Sequence, residues 1–471
     1  MRILLVQPEW QSKGIGFRLA AMPEPLGLEM VAAAAPGHEY RILDMRLDGD
    51  LAAALRGFQP DVVAVTALTP EVYAAQDVLR QAKEFDKGIF TVVGGHHVSL
   101  LPGDFHQSYV DAIALGEGEL VFPHLIEQLC NGRDLRKVPG IVWRESDGRF
   151  VRNAAGPSAL DMDALPLPRW DLTAKYRPEY FFLFDKPDTS VATGRGCPYR
   201  CSFCSVWVFY GGKTRQMSAR RVVDEVAQVA TDHITFVDDN FLMNRKREEA
   251  IADLIKAEGI RKRFSMECRT DSIVKHPDLL AKWVDIGLYA VLLGLEGSDE
   301  TLRNVNKKNT AKVNDEAIRI LHDNGVIIWG AFIADPDWTE DDFKRLREYV
   351  DSREITHTQF TVLTPLPGSQ LWRQKRAELL TEDYGCYDCL HAVVPTRLPR
   401  EEFYKQFAGL YRPKVLGPYF DLVRAGKLTI EDCKRGKEML DAMARWEMYL
   451  PNDPVLGNGR KMERQGRPAR K

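Results

Sequence analysis

The stretch Gly194-Arg195-Gly196-Cys197-Pro198-Tyr199-Arg200-Cys201-Ser202-Phe203-Cys204-Ser205-Val206-Trp207 decides how the rest of this 471-residue chain is interpreted. Three cysteines fall within eight residues at C-x3-C-x2-C spacing, and soft thiolate ligands at this spacing converge on one metal centre. A closed zinc site needs a fourth Cys or His nearby, and none follows before His233. The loop therefore predicts a metal cluster with three protein ligands and one open corner. A structural zinc knuckle or three free thiols is the alternative.

This loop, with the aromatic Phe203 before its last cysteine, resembles the cluster loop of radical S-adenosylmethionine (SAM) enzymes. The resemblance implies that Cys197, Cys201 and Cys204 bind a 4Fe–4S cluster and that Phe203 lies at the SAM site. It also implies that the open iron chelates the amino and carboxylate groups of SAM, and that one electron cleaves SAM to a 5′-deoxyadenosyl radical.

The bulk composition is typical of a globular protein of two or three domains. Hydrophobic residues make up 45% of the chain, and a net charge of −3 with a pI near 6.4 predicts no binding of nucleic acid. No apolar run reaches the roughly 18 residues that span a bilayer, and residues 1–6 resemble a strand more than a signal peptide. We expect a cytoplasmic protein with reduced cysteines, and a disordered basic tail from Arg460 to Lys471.

Residues 1–140 alternate short β-branched runs with Ala-rich helical stretches, which predicts a parallel, doubly wound sheet of the Rossmann type. The predicted strands are Arg2–Gln7, Glu39–Asp44, Asp61–Thr66 and Phe90–Gly94. Ligands bind at the carboxyl ends of such strands, where glycines let a ligand approach the backbone closely. Two glycine-rich loops follow predicted strands, at residues 94–97 and 116–119.

Together with Glu24-Pro25-Leu26-Gly27-Leu28, these loops resemble the cobalamin-binding domain that precedes the radical core in one subgroup of the family. The resemblance implies cobalamin contacts at Gly94, Gly95, His96, Gly116, Glu117, Gly118 and Glu119. The loop after the first strand lacks the D-x-H-x-x-G histidine, so no lower axial histidine is expected. The alternatives are a plain Gly-Gly turn, and loop histidines satisfied by backbone partners at positions 96 and 97.

Residues 141–189 predict a linker, because a small hairpin leads into Pro-rich sequence without periodicity. In residues 190–370 the βα alternation resumes, with six predicted strands: Val191–Gly194, Ile234–Val237, Phe264–Arg269, Ala290–Leu295, Ile327–Ile333 and Thr358–Leu363. The resemblance implies an α/β fold with a six-stranded partial barrel, whose chemistry lies at the carboxyl ends of the strands. Residues 371–471 predict a mostly helical region, with helices at Arg400–Tyr411, Pro418–Ala425 and Ile430–Leu450.

Polar residues close three of the predicted barrel strands. By family position, the resemblance assigns Asp239 to the methionyl amino group of SAM and makes Arg269 and Glu296 further SAM candidates. A helix cap at residues 238–240 and solvated strand ends at the other two positions are the alternatives. Cys386 and Cys389 are too few for a second cluster, and a thiol pair that faces the substrate is the alternative.

Longer stretches, including residues 204–211, 333–338 and 391–399, resemble the hopanoid C-3 methylase branch. That resemblance implies a methyltransferase that uses a 4Fe–4S cluster, SAM and cobalamin, with flavodoxin or ferredoxin as the type of reductant. Its methyl group passes through methylcobalamin to an unactivated carbon of an apolar substrate of the hopanoid lipid type, and a peripheral membrane contact is compatible with it. The alternatives are a cyclase or oxidative enzyme acting on a tetrapyrrole or other natural product, and a cobalamin sensor with a structural cluster.

Overall fold

The computed structural model describes residues 1–10, 20–156, 161–183, 185–355, 357–412, 423–424, 426 and 428–457. The basic tail after Arg460 and most of the predicted helix Pro418–Ala425 lie outside these ranges. Within them, no helix is both long enough and apolar enough to cross a membrane.

The described strands are β1 (Arg2–Gln7), β2 (Ala21–Met22), β3 (Glu39–Asp44), β4 (Val62–Thr66), β5 (Phe90–Gly94), β6 (Ala112–Ala114), β7 (Ile141–Arg144), β8 (Phe150–Arg152), β9 (Phe181–Phe182), β10 (Asp188–Val191), β11 (Gly194–Arg195), β12 (Arg215–Gln216), β13 (His233–Phe236), β14 (Arg263–Cys268), β15 (Leu288–Glu296), β16 (Ile327–Ala334) and β17 (His357–Val362).

The described helices are α1 (Leu26–Ala34), α2 (Leu51–Phe58), α3 (Val72–Phe85), α4 (His96–Leu100), α5 (Gly118–Cys130), α6 (Val206–Phe209), α7 (Ala219–Val226), α8 (Arg245–Ala257), α9 (Thr270–Lys275), α10 (Pro277–Asp285), α11 (Asp299–Asn304), α12 (Ala311–Asp323), α13 (Glu340–Ser352), α14 (Gln370–Gln374), α15 (Arg400–Gly409) and α16 (Ile430–Met443).

The N-terminal region is a seven-stranded sheet in the order β3-β1-β4-β5-β6-β7-β8. Its first five strands are parallel, and alternate side chains of β1 enter different cores: Ile3 and Leu5 on one face, Leu4 and Val6 on the other. Burial on both faces is what a doubly wound parallel sheet requires, and this confirms the predicted fold class.

The hairpin that the sequence places at the start of the linker is part of this sheet. Strand β7 pairs antiparallel with β6, with Val142 opposite Ile113, and β8 pairs with β7. Val142 is buried in the same core as Ile113, and the pairing covers the edge that β6 would otherwise expose. The sheet therefore extends to Arg152, beyond the predicted boundary at residue 140.

The central region is a six-stranded parallel sheet in the order β10-β13-β14-β15-β16-β17. Among the described residues, no pairing joins β17 back to β10, so the barrel is open on one side. The six predicted strands are present, but the first lies at Asp188–Val191 and not at Val191–Gly194. The chain leaves the barrel at Thr193, whose backbone N donates to Asp238 Oδ1 at 2.6 Å.

The C-terminal region packs on the barrel and shares its core. Phe403, Tyr404 and Phe407 of α15 lie in the same hydrophobic cluster as the outward-facing residues of the barrel strands. The predicted helix Ile430–Leu450 ends earlier, at Met443, and a short 3-10 turn follows at Trp446–Tyr449.

Candidate active site between the two domains

The cluster loop is held at its base by a two-stranded hairpin. Strands β11 and β12 pair antiparallel, with Arg195 opposite Arg215, and residues 196–214 between them carry all three cysteines of the motif. Gly196 has φ +85°, and a Cβ at this position would lie 2.1 Å from the carbonyl oxygen of Lys213. Only glycine fits there, because any side chain would clash with the opposite arm of the hairpin.

The three thiols lie in a partly buried environment with no disulfide between them. Cys201 is buried, Cys197 and Cys204 are half-buried, and burial raises the pKa of all three, that of Cys204 to about 12. A bound metal would stabilise their thiolates, which water cannot solvate fully here. Among the described residues, no three His, Cys, Asp or Glu side chains are grouped to hold a single metal ion. A multi-iron cluster does not need that convergence, because each cysteine ligates its own iron.

Backbone hydrogen bonds fix this loop against the barrel. Ser202 N donates to the carbonyl of Val305 at 2.9 Å, and its own carbonyl accepts from Leu371 N at 2.8 Å. Trp207 Nε1 donates to the carbonyl of Cys201 at 3.0 Å. Phe203 is half-buried within this anchored segment, and its role at SAM stays a prediction.

The two aspartates after β13 have different roles. Asp238 is buried and accepts from the backbone N and the hydroxyl of Thr193, at 2.6 and 2.7 Å. Asp239 accepts from Gly196 N at 2.7 Å, which places its carboxylate next to the first cluster cysteine. Burial raises the pKa of Asp239 above its usual value. The cap of α8 is Asn244, so the helix-cap alternative does not account for the two aspartates.

Arg269 and Glu296 both lie at the mouth of the barrel with partners inside the protein. Arg269 is buried, its Nε donates to Asp271 Oδ1 at 2.8 Å, and its guanidinium lies 3.7 Å from the ring centre of Tyr199. Glu296 forms a 2.5 Å ion pair with Lys307. The alternative of solvated strand ends is therefore wrong for both residues, whereas their contacts with SAM stay predictions. Sequence reasoning missed Lys307, because nothing near it in the chain indicates its partner.

A further carboxyl group that sequence reasoning missed lies inside the barrel. Met266 and Cys268 of β14 pack in the core outside the barrel. Side chains alternate along a strand, so Ser265 and Glu267 face the barrel interior. Ser265 Oγ is 2.8 Å from Thr235 Oγ1 of the neighbouring strand, which confirms that direction. The Glu267 side chain is exposed to this open interior, and the barrel wall around it raises the pKa of its carboxyl group above the usual value. The alternation of side chains along the strand could have placed Glu267 and Ser265 on the same face. The sequence does not show that this face lines the barrel interior.

A cleft of about 290 Å³ opens at the carboxyl ends of the N-terminal strands. Six of the seven residues predicted to contact cobalamin line it: Gly94, Gly95, Gly116, Glu117, Gly118 and Glu119. Apolar side chains such as Leu5, Met30 and Phe122 form its floor. Gly95 has φ +109°, and a Cβ there would lie 2.7 Å from Thr66 Oγ1. This position therefore favours glycine, and no side chain separates its backbone from the cleft. The glycines let a flat ligand lie against the backbone, and the apolar side chains offer one of its faces a dry surface.

His96, the seventh predicted residue, is not among the residues that line the cleft and instead contacts the cluster loop. Its Nε2 is 2.8 Å from Ser205 Oγ, and its ring stacks on Phe209 with centroids 4.9 Å apart. Burial lowers its pKa to about 4, so the ring is neutral near pH 7. The neighbouring His97 is a satisfied core histidine, 3.1 Å from Thr69 Oγ1 and 3.2 Å from Asp104 Oδ2.

Glu117 and Glu119 also reach the cluster loop, through the two arginines of its hairpin. Arg195 pairs with Glu117 at 2.8 Å and with Glu119 at 2.5 Å, and Arg215 pairs with the second oxygen of Glu117. The cleft and the cluster loop are thus adjacent surfaces joined by side chains of both domains.

Cys386 and Cys389 lie in different environments. Cys386 is buried and its thiol donates to the carbonyl of Asn452 at 3.2 Å. Burial raises the pKa of Cys389 to about 12, and its side chain is hydrogen bonded to Thr364. The environment of Cys389 disfavours a thiolate.

A partial barrel with a three-cysteine loop at its mouth, facing a Rossmann-like sheet with a glycine-walled cleft, defines a radical enzyme with a second cofactor domain. Residues 191–350 match the radical SAM superfamily, and residues 13–126 match the B12-binding domain. The chain is 34% identical to the hopanoid C-3 methylase of Methylococcus capsulatus over 394 residues, which cover 81% of this chain and 74% of that protein.

Two further similarities extend over most of the chain. An anaerobic magnesium-protoporphyrin IX monomethyl ester cyclase of Cereibacter sphaeroides is 27% identical over 437 residues, 88% of this chain and 70% of that protein. The fold matches that of TsrM, a radical SAM methyltransferase from Kitasatospora setae with cobalamin and a 4Fe–4S cluster bound. The TM-score is 0.70 at 18% identity, and the match covers 94% of this chain and 99% of that one. The chain belongs to the cobalamin-dependent radical SAM methyltransferases, whose cofactors are a 4Fe–4S cluster, SAM and cobalamin.

Proposed function

We propose that this enzyme transfers a methyl group, by way of methylcobalamin, to an unactivated carbon of an apolar substrate of the hopanoid lipid type. The observation that carries the proposal is the direct contact between the cobalamin cleft and the cluster loop: Glu117 and Glu119, which line the cleft, pair with Arg195 at the base of the loop, at 2.8 and 2.5 Å. The choice of a lipid is supported by the 34% identity to a hopanoid C-3 methylase.

The proposed cofactor-binding residues lie on two facing surfaces, one at the mouth of the barrel and one at the cleft of the N-terminal sheet. Cys197, Cys201 and Cys204 would hold the cluster, and the Asp239 carboxylate, which lies beside them, would accept hydrogen bonds from the amino group of SAM. Gly94, Gly95, Gly116 and Gly118 let the cobalamin ring approach the backbone. When bound, these cofactors supply the adenosyl radical and the methyl group. The protein orients the substrate between them and excludes water.

The reductant is proposed to be a flavodoxin or ferredoxin type of protein, because the cluster needs single electrons. A cytoplasmic location with a peripheral membrane contact would bring a lipid substrate within reach.

The experiment is an anaerobic incubation of the reconstituted enzyme with SAM that carries a CD3 methyl group, cobalamin, a reductant and a hopanoid extract. We expect one CD3 group in a lipid product identified by mass spectrometry, and none from Cys201→Ala. Comparison of lipid extracts from a deletion strain and its parent gives the matching result in cells. An unchanged lipid profile in the deletion strain, with no labelled lipid in vitro, would overturn the proposed substrate.

A second candidate is ring formation or oxidation on a tetrapyrrole, which the 27% identity to a magnesium-protoporphyrin cyclase favours. The same incubation with magnesium-protoporphyrin monomethyl ester separates the two, because a cyclase changes the pigment spectrum without transferring the label. A cobalamin sensor with a structural cluster does not fit a member of this enzyme family.

A further inference from the structure

Four charged side chains form a continuous chain of ion pairs between the two domains. Glu117 uses one oxygen for Arg195, at 2.8 Å, and the other for Arg215. Glu119 adds a second carboxylate on Arg195, at 2.5 Å. The four side chains are between 7% and 18% exposed. Two carboxylates and two guanidinium groups balance in charge, so the network is neutral as a whole.

The network contacts the cluster loop at the hairpin that forms its base. Arg195 and Arg215 are opposite each other in the β11–β12 pair, and that pair closes the loop which carries the three cysteines. Arg195 is separated from Cys197 by Gly196 alone, a glycine that tolerates no side chain. A shift of either arginine therefore moves the backbone that leads into the first cluster ligand.

The same carboxylates belong to the cobalamin cleft. Glu117 and Glu119 line it, as does Arg195, and Gly116 and Gly118 flank Glu117 in the chain. Both carboxylate oxygens of Glu117 accept hydrogen bonds from arginines of the hairpin, one from Arg195 and one from Arg215. The family resemblance implied cobalamin contacts at these two glutamates, and in the structure both side chains also contact the hairpin of the cluster loop.

We propose that Glu117, Glu119, Arg195 and Arg215 act as positioning residues that couple occupancy of the cobalamin cleft to the geometry of the cluster loop. A ligand bound in the cleft changes the preferred position of Glu117 and Glu119. Through their ion pairs with Arg195 and Arg215, the glutamates change the position of the cluster loop. Coupling of this kind is reciprocal, so an assembled cluster must change the affinity for cobalamin by the same factor. This inference rests on the cofactors of the family and not on the proposed substrate.

The test measures the dissociation constant of hydroxocobalamin by its absorbance change, on the full chain with and without the reconstituted cluster. For the wild type we expect the two constants to differ by about fivefold or more, as in typical coupled sites. In Glu119→Gln and in Arg195→Gln the ratio should fall to about one, and the double variant should be no worse than either single variant, within about twofold. The EPR spectrum of the reduced cluster should respond to cobalamin in the wild type and not in these variants.

The matched control is Glu258→Gln, which breaks the exposed ion pair with Arg220 and should leave the ratio unchanged. Arg215→Lys keeps the charge but loses the planar guanidinium, and it serves if Arg195→Gln does not fold. A wild-type ratio near one would overturn the inference. So would a loss of cobalamin affinity in Glu119→Gln that is equal with and without the cluster, because that pattern marks a direct cobalamin contact. Neither result depends on which substrate is methylated, so a failure here is distinct from a failure of the proposed function.

Discussion

His96 Nε2 lies 2.8 Å from Oγ of Ser205, the residue directly after the last cysteine of the cluster loop. His96 follows Gly94 and Gly95, which line the cobalamin cleft, so this contact joins a residue beside the cleft to the middle of the cluster loop. The ion pairs of Glu117 and Glu119 join them at its base. The loop is therefore held from the N-terminal domain at two points.

We expect His96→Leu to loosen the cluster loop, because it removes both the hydrogen bond to Ser205 and the stacking on Phe209. The measurement is iron and sulfide per chain after reconstitution, followed by the rate at which a chelator removes iron. We expect faster loss by about tenfold, the equivalent of one hydrogen bond and one ring contact. The control is His106→Leu, which removes a similar stack on Phe150. Normal iron retention with a loss of cobalamin would instead identify His96 as a cobalamin contact.

Gly196→Ala should prevent assembly of the cluster. A Cβ would lie 2.1 Å from the carbonyl oxygen of Lys213, in addition to the cost of φ +85°. Gly211→Ala is the matched control, because Gly211 has φ +63° in the same loop but nothing within 4 Å of an added Cβ. The control should cost roughly 1–2 kcal/mol of stability and still bind iron. Equal iron content in the two variants would show that the close approach does not shape the loop.

Asp239→Asn should weaken SAM binding by roughly 10- to 100-fold, because it replaces a charged acceptor with a neutral one. The amide oxygen can still accept from Gly196 N, so the loop should keep its cluster. Isothermal titration of the reconstituted protein with SAM gives the affinity. The comparison is Asp238→Asn, which should lower the melting temperature because Asp238 is bound to Thr193 in the buried core. Unchanged SAM affinity in Asp239→Asn would remove this residue from the site.

Stability should fall as the pH rises from about 4.5 to about 7, in part because of Glu29. Burial raises the pKa of this carboxyl to about 7, and Thr173 donates a hydrogen bond to it. The folded state holds the proton more tightly than the unfolded state, so the contribution is favourable at low pH and is lost as the group ionises. Glu29→Gln should therefore gain stability relative to wild type between pH 5.5 and pH 8, by roughly 1–3 kcal/mol.

The measurement is thermal or denaturant unfolding of both proteins at the two pH values. Glu378→Gln is the control, since its side chain is 49% exposed and its partner Lys375 keeps its charge at both pH values. A constant offset between Glu29→Gln and wild type at both pH values would contradict the raised pKa.

The parts of the site that local sequence encodes were predictable. The cysteine spacing lies within eight residues, and the glycine-rich loops follow strands that hydrophobic runs identify. The strand alternation also predicted all six barrel strands, although the first lies about three residues earlier because Thr193 bonds to Asp238.

The side-chain partnerships between distant segments were not predictable. Arg195 and Glu117 are 78 residues apart, and His96 and Ser205 are 109 apart. Local pattern carries no information on which charges meet across a domain interface, so Glu117 and Glu119 were assigned to the ligand alone. The hairpin β7–β8 was assigned to the linker for the same reason, since its place at the sheet edge depends on pairing with β6.

The central claim is that the cluster and cobalamin act together in one active site. Its most direct test is the stoichiometry of SAM consumption. The reconstituted, cobalamin-loaded enzyme is incubated anaerobically with SAM, reductant and substrate, and the products are quantified by mass spectrometry. The account predicts equal amounts of 5′-deoxyadenosine and S-adenosylhomocysteine for each methylated product, and neither radical product nor methylation from Cys201→Ala. Formation of S-adenosylhomocysteine and methylated product without 5′-deoxyadenosine, or undiminished 5′-deoxyadenosine from Cys201→Ala, would contradict it.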